Sequence, residues 1–169
     1  MAFVFIVIVV FVIFLAMNCV KVVPDGNAFV VERLGRYFRT LMPGTHVLAP
    51  FVDRVAHRYS LHPREEEIAD TCITRDNVPV RIASVVRAQI LDPRRAAYGA
   101  ANAGDAVVTL VRSRQRLWIA ERAWDDVRES TRELEVAVVA AAAEPANEIG
   151  IHVASVEVRS VDRVESEAR

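Results

Sequence analysis

The first twenty residues carry no charge, and every one of them except Asn18 is apolar. As a helix, the run Ala2–Val20 would extend about 28 Å, against a hydrocarbon core of about 30 Å. Its Val, Ile and Phe content would suit a strand in water. In lipid an isolated strand leaves its backbone polar groups unpaired, so a transmembrane helix is expected over residues 1–21. A cleaved signal peptide would need a basic leader and a small-x-small site, and neither is present. The four residues Ala16-Met17-Asn18-Cys19 resemble a lipoprotein site only superficially, because Asn18 is poorly suited to the position before the cysteine. A retained anchor is therefore expected, with a hairpin in one leaflet as the alternative. Lys21, Arg33, Arg36 and Arg39 all follow the run and nothing basic precedes it. The positive-inside rule then places the body in the cytoplasm, on a cell membrane crossed once.

All 21 Lys+Arg and 22 Asp+Glu lie beyond that run, for a formal net charge of −1. So even a balance argues against a nucleic-acid partner, whose binders carry a basic excess. Two cysteines, Cys19 and Cys72, cannot form a disulfide framework. A body of this length makes one domain, or two small ones, with a real core.

Pro24-Asp25-Gly26 reads as a turn that ends the anchor. Strands are expected at Asn27–Leu34, Thr45–Leu48 (after a type II turn at Met42-Pro43-Gly44), Arg54–Leu61, Glu65–Thr74 and Val80–Leu91, the last being the longest. In the fourth of these segments Val55, His57, Tyr59 and Leu61 share one face. Asp92 suits an N-cap and Pro93 the N1 position of a short helix to Tyr98. A second helix, Asp105–Arg122, has Val107, Leu110, Val111, Leu117 and Trp118 at core spacing and Arg112, Arg114 and Arg116 on its wet side. Ser130 and Glu133 have capping-box spacing for a third helix through Ala143, closed by Pro145 and Gly150. A strand at Ile151–Val161 returns. The expected class is α+β: a β-rich part over 22–91, an α/β part over 92–162, and a charged stretch 163–169 that reads as the start of a helix.

The pieces Val23-Pro24-Asp25-Gly26, Val31-Glu32-Arg33-Leu34-Gly35-Arg36-Tyr37, Pro50-Phe51-Val52-Asp53-Arg54, Thr74-Arg75-Asp76-Asn77-Val78, Asp92-Pro93-Arg94-Arg95 and Gly150-Ile151 occur in an order and spacing that resembles the stomatin/prohibitin/flotillin (SPFH, band 7) family, above all its bacterial stomatin-like branch. The resemblance covers residues 1 to about 162. It implies an SPFH domain behind a membrane anchor, homo-oligomers, membrane lipid as a partner, and NfeD-like membrane proteins or membrane AAA proteases as protein partners. Members commonly continue into an Ala/Glu-rich coiled coil beyond the equivalent of Val161, which this sequence lacks. Ala120 also stands where the family usually has Gly, and Pro145 where it has helix formers.

Catalytic readings find little support. His46, His57, His62 and His152 have no zinc-helix spacing, and the neighbouring run Glu65-Glu66-Glu67 suits a solvated surface better than a metal site. Cys72 suits a small buried side chain better than a nucleophile. Asp125-Asp126 point apart on a helix and suit its N-terminus. Trp118 and Trp124 read as core, or else as a partner surface. No cofactor or metal is expected. Lys21, Arg33, Arg36 and Arg39, beside Tyr37 and Phe38, are the candidates for anionic lipid head groups, and Cys19 is the candidate for acylation. The expected function is a non-enzymatic membrane scaffold. The alternatives are a membrane-anchored hydrolase, or a short paralogue that limits assembly of a longer relative.

Overall fold

A computed structural model of the chain describes Val4, Val7, residues 19–100 and residues 102–164. Two compact units make it up, Met1–Leu61 and His62–Arg169. Strands precede helices and one strand returns, so the class is α+β. Among the described residues no helix is long and apolar enough to cross a membrane. The helix expected over 1–21 lies largely outside them. Val4, Val7 and Cys19 are helical, whereas Val20 and Lys21 are not part of any anchor: they open a strand. Their backbones pair with Val47 and His46, which draws them into the folded body.

In the first unit β1 (Val20–Val23) pairs antiparallel with β4 (Gly44–Val47), and β2 (Asn27–Arg33) lies between β3 (Arg36–Leu41) and β5 (Asp53–Ser60). Val23, Val31, Leu41 and Leu48 form the core, with Phe29 and Val55 packed on it. The central strand also buries Ala28 and Val30. Register shifts at Val30–Val31 and Val31–Glu32 bend it, as bulges do. The His57 and Tyr59 rings stack 6.0 Å apart on one face of β5, as the alternation predicts. Arg36–Leu41 has no clean alternation and is a strand that the sequence reading missed. Met42-Pro43 makes a bend rather than the expected turn, and Gly44 itself begins β4.

In the second unit β7 (Pro79–Ile90) runs between β6 (Arg64–Ile73) and β8 (Ile151–Arg163) in an antiparallel sheet. The longest strand is β8, with 13 residues against 12 in β7, because it runs through two bulges and takes in Asp162 and Arg163. The strands β6 and β7, read above with the β-rich part, thus belong with the helices. These are α1 (Pro93–Tyr98), α2 (Ala103–Ala120), α3 (Trp124–Glu129) and α4 (Thr131–Glu148). Helix α2 packs on β6 and α4, and α4 on β8. Ile68, Val80, Ile82 and Val86 of the sheet meet Val107, Val111 and Ile119 of α2 in the buried layer, with Leu134, Val138, Ala142 and Ala146 of α4.

Asp92 caps α1, accepting hydrogen bonds from Arg94 N–H and Arg95 N–H at 3.0 and 3.1 Å. Ser130 makes no side-chain cap on α4. It also ends α3, and its φ of −109° with ψ of 32° departs from the extended geometry that an N-cap needs. Pro145 lies inside α4 rather than closing it. The ring costs the helix a hydrogen bond, but Ala142 and Ala146 are fully buried on either side and hold the turn. Gly150 ends it at φ 76°, where an added Cβ would lie 2.4 Å from the Asp92 carbonyl oxygen. On α2, Leu117 is exposed, and Gln115 takes the buried place. Glu135 Oε1 accepts the Val158 N–H of β8 at 2.8 Å.

Candidate functional site

The cationic residues of the first unit fall into two groups. Arg33, at the end of β2, donates Nε to Asp53 Oδ1 at 2.6 Å and Nη2 to Asp53 Oδ2 at 3.0 Å. Asp53, whose side chain is 1% exposed, also accepts the Ala49 N–H at 2.9 Å. The Arg33 guanidinium and the Ala49 N–H hold its carboxyl down to about 2. Such bidentate pairs fix both partners. The same guanidinium lies 3.7 Å from the centroid of the Phe38 ring, with Arg39 at 5.4 Å. Arg39 donates to the Val47 carbonyl, joining β3 to β4. Arg33 and Arg39 are therefore parts of the fold, a role the sequence spacing did not reveal; Asp53 was the missed partner.

Lys21 and Arg36 are exposed and make no ion pair among the described residues. Lys21 sits on β1 opposite His46, and Arg36 opens β3 opposite Arg33. Cys19 is half-buried immediately before β1, and its carbonyl accepts the Leu48 N–H at 2.8 Å.

The groups weighed for catalysis are scattered. Cys72 is buried on β6, 3.8 Å from Asp70 Oδ2, and burial followed by the nearby carboxylate pushes its thiol up to about 11. A thiol held neutral is a poor nucleophile. Asp70 is itself engaged by Arg116, Nε to Oδ2 at 2.6 Å and Nη2 to Oδ1 at 2.7 Å, which lowers its carboxyl. Arg116 thus reaches from the wet side of α2 to the sheet. His46 Nε2 lies 2.7 Å from the Met42 carbonyl oxygen, His57 stacks on Tyr59, and His62 and His152 are exposed. Among the described residues no group of three His, Cys, Asp or Glu could hold a metal ion. Glu65 pairs with Arg87 across β6 and β7. Asp125 and Asp126 lie exposed in the first turn of α3, where the helix dipole favours them. Trp118 is buried with Arg122 3.8 Å above its ring, while Trp124 opens α3, so the two do not form one surface.

The sequence profile described as SPFH domain / Band 7 family matches residues 21–166. The chain is 35% identical over 148 residues to an uncharacterized protein of Schizosaccharomyces pombe, covering 87% of this chain and 42% of that one. It is 32% identical over 140 residues to human mitochondrial stomatin-like protein 2, covering 82% and 39%. An uncharacterized protein of Mycobacterium tuberculosis is 32% identical over 157 residues, covering 92% and 41%. The chain spans about two-fifths of the length of these relatives. A β-rich unit followed by a sheet-and-helix unit, matched from β1 to beyond the end of β8, makes this chain a member of the SPFH/Band 7 family.

Proposed function

We propose that the chain is a membrane-anchored, non-enzymatic scaffold that associates with copies of itself and organises lipid and membrane proteins around it. The observation that carries this reading is the uncharged run Ala2–Val20, which passes directly into β1 of an SPFH domain. Family membership supports it, since SPFH proteins are in general scaffold-like membrane proteins. A tether confines copies to two dimensions and raises their effective concentration, so weak lateral contacts suffice. The body faces the cytoplasm, on the side of Lys21 and the arginines that follow. Head-group contact falls first to Lys21 and Arg36, because Arg33 and Arg39 have partners in the fold. Cys19, at the junction, is the residue open to acylation. NfeD-like membrane proteins and membrane AAA proteases are the protein partners of choice.

The test is extraction followed by sizing. In this reading the chain stays with membranes through alkaline carbonate washing, and size-exclusion with light scattering in detergent shows multimers. Release into the wash, or a monomer alone at high concentration, overturns it.

A further inference from the structure

Two turns of the first unit place a large apolar side chain where backbone geometry favours glycine or asparagine. Leu34-Gly35 joins β2 to β3 with φ of 52° and 79°, positive at both central positions of a two-residue hairpin loop. Asn-Gly is the usual choice for such a turn. Ala49-Pro50-Phe51-Val52 closes through Val52 N–H to the Ala49 carbonyl, with Phe51 at φ 72° after a proline. That is the third position of a type II turn, normally a glycine. Leu34 is 81% exposed and Phe51 87%. Neither contributes to the core, so the fold gains nothing from the strained positions that they occupy.

The two turns are neighbours. Leu34 N–H donates to the Val52 carbonyl at 3.3 Å. Val47, 67% exposed, lies four residues before Phe51 and pairs with Val20. Leu48 N–H reaches the carbonyl of Cys19, where the uncharged run ends. Leu34, Phe51, Val52, Val47 and Val20 therefore gather at the end of the unit from which that run departs. The charge beside them is cationic: Arg36 has no described partner, and the one nearby aspartate, Asp53, is buried and neutralised by Arg33.

We infer that this end is a second membrane contact, in which Leu34 and Phe51 enter the interfacial layer of an anionic bilayer beside the anchor. Large apolar side chains flanked by cations suit that layer. The inference rests on the proposed anchoring and adds a fixed tilt to it, because a body touching the bilayer at two places cannot swing freely.

The experiment uses the full chain in a C19S/C72A background, in vesicles of phosphatidylcholine with phosphatidylglycerol. Nitroxide labels are placed singly by L34C, F51C, D25C and I8C, and collisions with oxygen and with a water-soluble nickel reagent are compared. The labels at 34 and 51 are expected about 5–10 Å below the phosphates, and the label at 25 in water. Asp25 lies at the opposite end of β2, about 23 Å away along a seven-residue strand. A second variant, L34N/F51G, removes the apolar tips and relieves both turns. A label introduced by V47C should then retreat toward water, while the thermal midpoint holds or rises. Water values at 34 and 51 with hydrocarbon values at 8 would overturn the second contact and leave the anchor standing. Water values at all four sites would remove both. Labels at 34 and 51 shielded from both reagents and broadened by one another would make this end a contact between copies, and that also overturns the inference.

Discussion

The Asp76 carboxylate accepts the backbone N–H of Trp124, its two oxygens 3.2 and 3.3 Å away across 48 residues of sequence. It also accepts the Thr74 hydroxyl at 2.5 Å, and Arg75 N–H donates to the Arg122 carbonyl at 2.9 Å. The β6–β7 turn is thereby stapled to the corner between α2 and α3, and Asp76 supplies the cap that Ala123 lacks. D76A should lower the thermal midpoint of the second unit by about 4 °C, whereas D76N, which keeps an acceptor, should lose less. Circular dichroism melts of the two variants decide it; equal losses would mean that the acceptor is not what matters.

Acid should act on the first unit through Asp53. Its carboxyl is held at about 2, below the ordinary 3.8, so the folded state binds the proton more weakly than the unfolded chain. The associated stability is present above about pH 4 and is lost as pH falls toward 2. Amide-exchange protection at Leu34 and Val52 should fall across that window. In D53N it should be lower at neutral pH and lose that acid dependence.

Cys72 should resist alkylation. With its thiol near 11, about one molecule in a thousand carries the thiolate at pH 8, and the sulfur is buried. Iodoacetamide followed by mass spectrometry should modify Cys72 in the native chain far more slowly than in urea. Comparable rates would contradict the burial.

Gln115 and Ser84 make a buried polar pair, Nε2 donating to Oγ at 2.8 Å, while Gln115 Oε1 has no described partner. S84A alone should cost about 1–3 kcal/mol, because it leaves the amide wholly unpaired. S84A/Q115M should return to within about 1 kcal/mol of the native chain. Urea unfolding followed through Trp118 and Trp124 measures both.

G150A should destabilise the second unit by about 3 kcal/mol. The added Cβ meets the Asp92 carbonyl and the Arg95 side chain, and φ 76° is unfavourable to alanine. The same urea titration reads it.

Elements with a strong local signal were legible in sequence. Asp92-Pro93 set the start of α1, β-branched alternation set β2 and β7, and the family motifs identified the domain. What escaped depends on partners distant in sequence. Arg36–Leu41 is a strand because β2 lies beside it. Gln115 is inward because Ser84 accepts its amide, and Leu117 is displaced outward. Arg33 looked like a free cation among neighbours, and only the 20-residue reach to Asp53 shows it occupied. Ser130 had the capping spacing but serves two helices at once, so its backbone cannot adopt the capping geometry.

The carboxylate that Glu135 lends to Val158 has a bearing on polymerisation. A strand at a sheet's margin recruits others through its unpaired amides, and here one of those amides on β8 is already taken from within. The two bulges on the same strand spoil its straightness further. Growth of this sheet from copy to copy is stopped on that flank, so crowding at a membrane need not lead to fibrils.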